Sequence, residues 1–222
     1  MCSSHRLVTA PLGIALSVAS VSGRADATWI LLHGSEGHET DLLPLADRLL
    51  PDAAQVALRG AAETTGGRAF FDRRADRTID DEEVGARIGA LVDAIQHGQR
   101  LVGGTRHRIL LGFSNGAIMA AALMAHHPEL FTAAILIRPQ APFRSPSPHT
   151  HLAMPVLILD ARHDARRTRD DGLQVARWLR DAGATVEHTT LPVHHGITHD
   201  DERAIRAWLD ETLREPCATQ PQ

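Results

Sequence analysis

Residues 109–125 pass from an apolar run, Ile109-Leu110-Leu111, through Gly112-Phe113-Ser114-Asn115-Gly116, into the helix-forming run Ala117-Ile118-Met119-Ala120-Ala121-Ala122-Leu123-Met124-Ala125. This order predicts a strand that turns sharply into a helix, with Ser114 at the apex. The flanking glycines have a steric reason, because so tight a turn leaves no room for a Cβ on either side. Such a turn lifts a hydroxyl clear of the sheet. It is the setting of a serine nucleophile and points to acyl transfer through a serine ester.

The same alternation of short apolar runs and helical spacing extends along the chain. Segments 29–32, 53–58, 133–137, 155–159 and 185–191 read as strands. Segments 41–50, 82–99, 170–181 and 200–215 read as helices, with Asp41 as the N-cap of the first. Val84, Ile88, Leu91, Val92 and Ile95 share one helical face, as do Ile205, Trp208, Leu209 and Leu213. Strands apolar on both faces, alternating with helices, predict an α/β fold with a mostly parallel central sheet and helices on both faces. Residues 59–81 read as a long loop, and 139–148, with four prolines, as irregular. The length and 43% apolar content suit one domain over 1–222, frayed at 1–10 and 216–222.

Near the N-terminus, residues 7–21 follow Arg6 and precede Ala25-Asp26-Ala27, the outline of a signal peptide and its cleavage site. Ser17, Ser20 and Ser22 interrupt the apolar run, however, and Ile14, Leu16 and Val18 alternate with small residues. A first strand is the preferred reading, with a cytoplasmic location as the corresponding expectation. No segment is long and apolar enough to span a bilayer.

Composition removes several chemistries. All 23 basic residues are Arg, so Schiff-base catalysis and a P-loop lysine are excluded. Tyr is absent, and the formal charge of −4 does not suggest a nucleic-acid partner. Cys2 and Cys217 lie near opposite ends and make no disulfide framework. The 14 histidines show no clustered ligand spacing, so a metal is not expected.

A serine hydroxyl needs a base within hydrogen-bond reach, and the base needs an orienting acid. After a strand–serine–helix turn of this kind the chain order is Ser, acid, His. Asp160 and Asp164 both follow the 155–159 strand. Asp164 lies deeper in the loop and is preferred, leaving Asp160 to cap the loop or hold Arg162. His195 is preferred to His194 because Gly196 follows it and lets the backbone pass close to the nucleophile. The oxyanion is expected to meet the backbone N–H of Asn115, at a helix start, and that of Ser35 in the loop His33-Gly34-Ser35. His33 is expected to hold that loop in shape. Arg68, Arg73, Arg74 and Arg77 are read as a solvated face neutralised by Asp72, Asp76, Asp80 and Asp81, in preference to a patch that steers anions. The segment near Phe143 is a candidate lining for an acyl pocket.

Taken together, His33-Gly34-Ser35-Glu36-Gly37 with Asp41-Leu42-Leu43-Pro44-Leu45-Ala46, the Gly112–Ala117 turn with Met119-Ala120, Arg138-Pro139, the loop ending at Asp164, and His195-Gly196 resemble the phospholipase/carboxylesterase family of small α/β-hydrolases over roughly residues 28–210. The resemblance implies an α/β-hydrolase fold with little or no cap, and a triad of Ser114, Asp164 and His195. It also implies Ser35 and Asn115 as oxyanion donors, and cofactor-free hydrolysis of carboxylic esters of small or medium acyl groups. A thioesterase or lysophospholipase would use the same triad, and the rival of another class is an inactive hydrolase-fold binding protein. The sequence is compatible with a homodimer and does not require one. Ser35, the glycine-free stretch 160–164 and His194 depart from the family pattern and bear on the substrate.

Overall fold

The apolar runs become strands of one mixed sheet. The structure, a computed structural model, describes residues 5–19, 26–76, 78–144 and 151–213. The strands are β1 (Arg6–Thr9), β2 (Ala15–Ala19), β3 (Ala27–Leu32), β4 (Ala54–Leu58), β5 (Ala62–Thr64), β6 (Gly67–Ala69), β7 (His107–Phe113), β8 (Ala133–Ile137), β9 (Pro155–Ala161) and β10 (Thr185–Leu191). The helices are α1 (Leu43–Leu49), α2 (Asp81–Val102), α3 (Asn115–His126), α4 (Asp171–Asp181) and α5 (His199–Thr212). The main sheet runs β1-β2-β4-β3-β7-β8-β9-β10, parallel from β4 to β10 and antiparallel at the β1 and β2 edge.

Alternate residues of each strand enter opposite cores, as the period-two geometry requires. Ile30, Leu32, Val56 and Leu110 pack with α2, α3 and α4, whereas Trp29, Leu31, Ala57 and Leu111 pack with α1 and α5. Both faces are therefore covered, and α3 is buried along most of its length. Each fully buried Leu or Ile contributes about 1.5–3 kcal/mol, and these apolar walls hold the strand ends that carry the site.

Several local expectations need correction. Helix α1 begins at Leu43, and Asp41 does not cap it. The Asp41 carboxylate accepts from the His38 N–H at 3.0 Å instead, a local bond of the kind short acids form with loop backbone. The segment 59–81 is not all loop. Strands β5 and β6 form a hairpin, and Arg68 bridges to Gly37 in the loop after β3. Strand β9 continues through Asp160 to Ala161. Residues 6–9, within the span expected to fray, pair as β1 with β2. The strand reading of 14–18 holds, since Ile14, Leu16 and Val18 are buried and β2 pairs with β4. Among the described residues no helix is long and apolar enough to cross a membrane.

Candidate active site

Strand β7 ends at Phe113 and α3 begins at Asn115, leaving Ser114 alone at the turn with φ 53° and ψ −107°. A non-glycine residue in that region carries a strain of about 1–3 kcal/mol. The surroundings enforce it. The Ser114 N–H donates to Ile137 O at 2.9 Å, which ties the apex to β8. A Cβ on Gly116 would sit 2.1 Å from Leu32 O, and one on Gly112 would sit 2.6 Å from Gly116 O. Both contacts are with backbone and cannot be relieved by a rotamer change. The Asn115 side chain accepts from the Phe70 N–H at 2.8 Å and donates to Phe71 O at 3.2 Å, joining the segment after β6 to the turn.

The loops after β9 and β10 bring two more side chains to Ser114. His195 Nε2 lies 2.9 Å from Ser114 Oγ, and His195 Nδ1 lies 2.7 Å from Asp164 Oδ2. Asp164 Oδ1 accepts from the Arg166 N–H at 2.7 Å, which fixes the carboxylate. Burial lowers the His195 pKa, the Asp164 hydrogen bond and charge oppose that shift, and nearby Arg167 adds to it. Asp160 is engaged elsewhere, with its Oδ2 at 2.6 Å from His188 Nε2, so it neither caps the loop nor serves Arg162 as expected. His194 is exposed and donates from Nδ1 to His163 O at 3.0 Å. A Cβ on Gly196 would meet open space, so close backbone passage does not explain that glycine.

A buried ion pair underlies the His195 loop. Arg138 and Asp201 are both fully buried, with Nη1 to Oδ1 at 2.6 Å and Nη2 to Oδ2 at 3.0 Å. Arg138 Nη2 also donates to His194 O at 3.4 Å and Gly196 O at 3.3 Å, the carbonyls on either side of His195. Asp201 completes a capping box with Thr198 at the start of α5. The sequence reading assigned neither residue this role. The Thr198-x-x-Asp201 spacing was the signal that could have found one of them.

On the opposite side, His33 fixes the β3 loop. Its Nδ1 donates to Gly34 O at 2.7 Å and its Nε2 accepts from the Gly60 N–H at 3.0 Å, so the neutral tautomer is the one that fits. Burial lowers its pKa in the same sense. Ser35, Glu36, Arg73, Ser114, Arg166 and Arg167 line a cleft of about 230 Å³. Arg74 pairs with Asp80 at 3.1 Å, as a solvated face would, but Arg73 departs from that expectation by lining the cleft. Arg77 lies outside the described residues. Phe143 does not line this cleft; it packs beside His126 and opens on another, shared with Ile79 and Trp178. Among the described residues no group of three or more His, Cys, Asp or Glu comes together as metal ligands would.

The chain is 31% identical over 192 residues to a Bacillus subtilis (strain 168) protein named "Putative hydrolase MhqD", covering 86% of this chain and 96% of that one. Its structure is similar to a carboxylesterase from Mesorhizobium loti, with a TM-score of 0.86, 29% identity and coverage of 93% of this chain and 98% of the other. It is also similar to the Bacillus cereus carboxylesterase, with a TM-score of 0.80, 25% identity and 95% coverage of both chains. No family model matches the chain. A mostly parallel sheet, a serine at a strained strand-to-helix turn and these similarities lead to one assignment: the chain belongs to the phospholipase/carboxylesterase family of small α/β-hydrolases and is an enzyme of the carboxylesterase-like kind.

Proposed function

We propose that the protein hydrolyses carboxylic esters of small or medium acyl groups through an acyl-enzyme on Ser114. The observation that carries this reading is the continuous hydrogen-bonded chain from Asp164 through His195 to Ser114, at 2.7 and 2.9 Å. His195 Nε2 takes the hydroxyl proton as Oγ attacks the acyl carbonyl. Asp164 holds the Nδ1–H tautomer and stabilises the imidazolium. The N–H groups of Ser35 and Asn115 receive the oxyanion, the latter at the start of α3 where the helix dipole favours negative charge. The alcohol leaves with the proton from His195. Water then attacks the acyl-enzyme by the same route and releases the acid. The cleft of about 230 Å³ beside Ser114 has room for a small substrate group, and two structural relatives are named carboxylesterases.

A fluorophosphonate probe is expected to label the native protein once, on the peptide containing Ser114, by intact and peptide mass spectrometry. Folded protein that stays unlabelled at high probe concentration would identify an inert hydrolase-fold binder and end the esterase reading.

The base must be neutral to accept a proton, and burial holds the His195 pKa below its ordinary value. The acid limb of kcat/KM, which reports the free enzyme, is therefore expected to have its midpoint below about 6.5, with full activity above it. An acid limb centred above pH 7 would contradict His195 as the base in this environment.

A further inference from the structure

Ser114 Oγ has a second partner besides His195. Arg167 Nη2 donates to it at 3.1 Å, while Arg167 Nε donates to Arg138 O at 3.0 Å and Nη1 to Arg166 O at 3.0 Å. All three acceptors are uncharged. Among the described residues no carboxylate forms an ion pair with this guanidinium. The acids close by are engaged elsewhere, Asp164 by His195 and the Arg166 N–H, and Asp171 by the Thr168 N–H at 2.8 Å. Arg73 and Arg166 line the same cleft, and its lining carboxylate, Glu36, is exposed and lies along Gly66. Burial, and after it the charge of Arg73, lowers the Arg167 pKa to about 10 against the opposing charges of Asp171 and Asp164, which leaves it cationic at neutral pH.

A partly buried cation with no carboxylate in direct contact is under-compensated, and neighbouring like charges make it more so. Both Nη atoms retain an N–H beyond the bonds above, and a planar guanidinium with free N–H groups matches the two oxygens of a carboxylate. An anion entering the cleft would meet that donor beside the reacting oxygen. Its place also differs from that of the expected oxyanion donors. Arg167 comes from the loop that carries Asp164, whereas Ser35 and Asn115 come from the β3 loop and the start of α3. We propose that Arg167 binds a free carboxylate on the substrate, so that the preferred esters are small half-esters of dicarboxylic acids whose acid group lies a few bonds from the scissile carbonyl. This assignment rests on Ser114 being the nucleophile.

The test compares monomethyl succinate with methyl succinamate, which differ only in carboxylate against carboxamide, by methanol release from the wild-type chain and from Arg167→Gln and Arg167→Lys. Wild-type kcat/KM is expected to favour the acid by about 10–100-fold, the range that charge-assisted hydrogen bonds supply. Arg167→Gln should bring the ratio towards one, and Arg167→Lys should keep part of it. In the wild-type protein, needing no variant to fold, succinate should compete with methyl succinamate and succinamide should not. Preference for the amide in the wild type, or an unchanged ratio in Arg167→Gln, would overturn the carboxylate site and leave the esterase reading standing. Turnover of neither ester, together with no fluorophosphonate labelling, would remove both.

Discussion

Exchanging Ser114 for alanine is expected to lower kcat on a p-nitrophenyl ester by at least about 10⁴-fold, with the protein still folded. The fold should survive because both residues carry a Cβ and meet the same strain at φ 53°. The Ile137 carbonyl still receives the backbone N–H at that position, and the glycines that admit the turn are untouched. What disappears is the oxygen that bridges His195 and Arg167. Groups that act as a unit are not additive, so His195→Ala should cost a similar factor and the double variant little more than either. Steady-state kinetics on purified variants, with circular dichroism to establish folding, would decide it. Retention of more than a hundredth of wild-type activity in Ser114→Ala would remove Ser114 from the chemistry.

The parts of the site legible in the sequence are those with a local physical cause. The turn at Ser114 could be read because a strand, two glycines and a helix occupy consecutive residues and sterics leave few other conformations. The convergence of residues 114, 164 and 195 followed from strand alternation, which places successive loops at one end of a parallel sheet. The arginines were harder. A charged loop such as 72–81 looks solvated whether or not one member turns inward, and only the tertiary arrangement separates Arg73 in the cleft from Arg74 paired with Asp80. Arg167 sits in a polar run, Arg166-Arg167-Thr168-Arg169, in which nothing distinguishes it by composition. Strands β5 and β6 span three residues each, too short to display a period, so their hairpin was invisible. Asp41 had the residue type of an N-cap, but loop backbone reached its carboxylate first.

Removing one partner of the Arg138–Asp201 pair should be the most destabilising substitution among the polar residues around the site. Both side chains are 0% exposed, and the contact is bidentate at 2.6 and 3.0 Å. Asp201→Ala would leave a guanidinium buried without its carboxylate, which typically costs about 3–5 kcal/mol. It would also remove the acceptor that the Thr198 N–H and hydroxyl use at 2.8 and 2.9 Å, opening the first turn of α5. Arg138 further joins Leu159 O in β9 to the His194 and Gly196 carbonyls. Loss of its anchor should therefore loosen His195 and lower kcat even where the protein stays folded, since small displacements of a positioned base are costly. The paired replacement Arg138→Met with Asp201→Leu separates these effects. It leaves no buried charge unpaired, so it should recover much of the stability while kcat stays low, because the His195 loop still lacks its donor. Urea unfolding with an unchanged m-value would give the stability difference, and kcat measured well below the transition would give the positioning effect. A change of less than about 1 kcal/mol in Asp201→Ala, within the range of exposed ion pairs, would show that the pair does not hold this end of the sheet together.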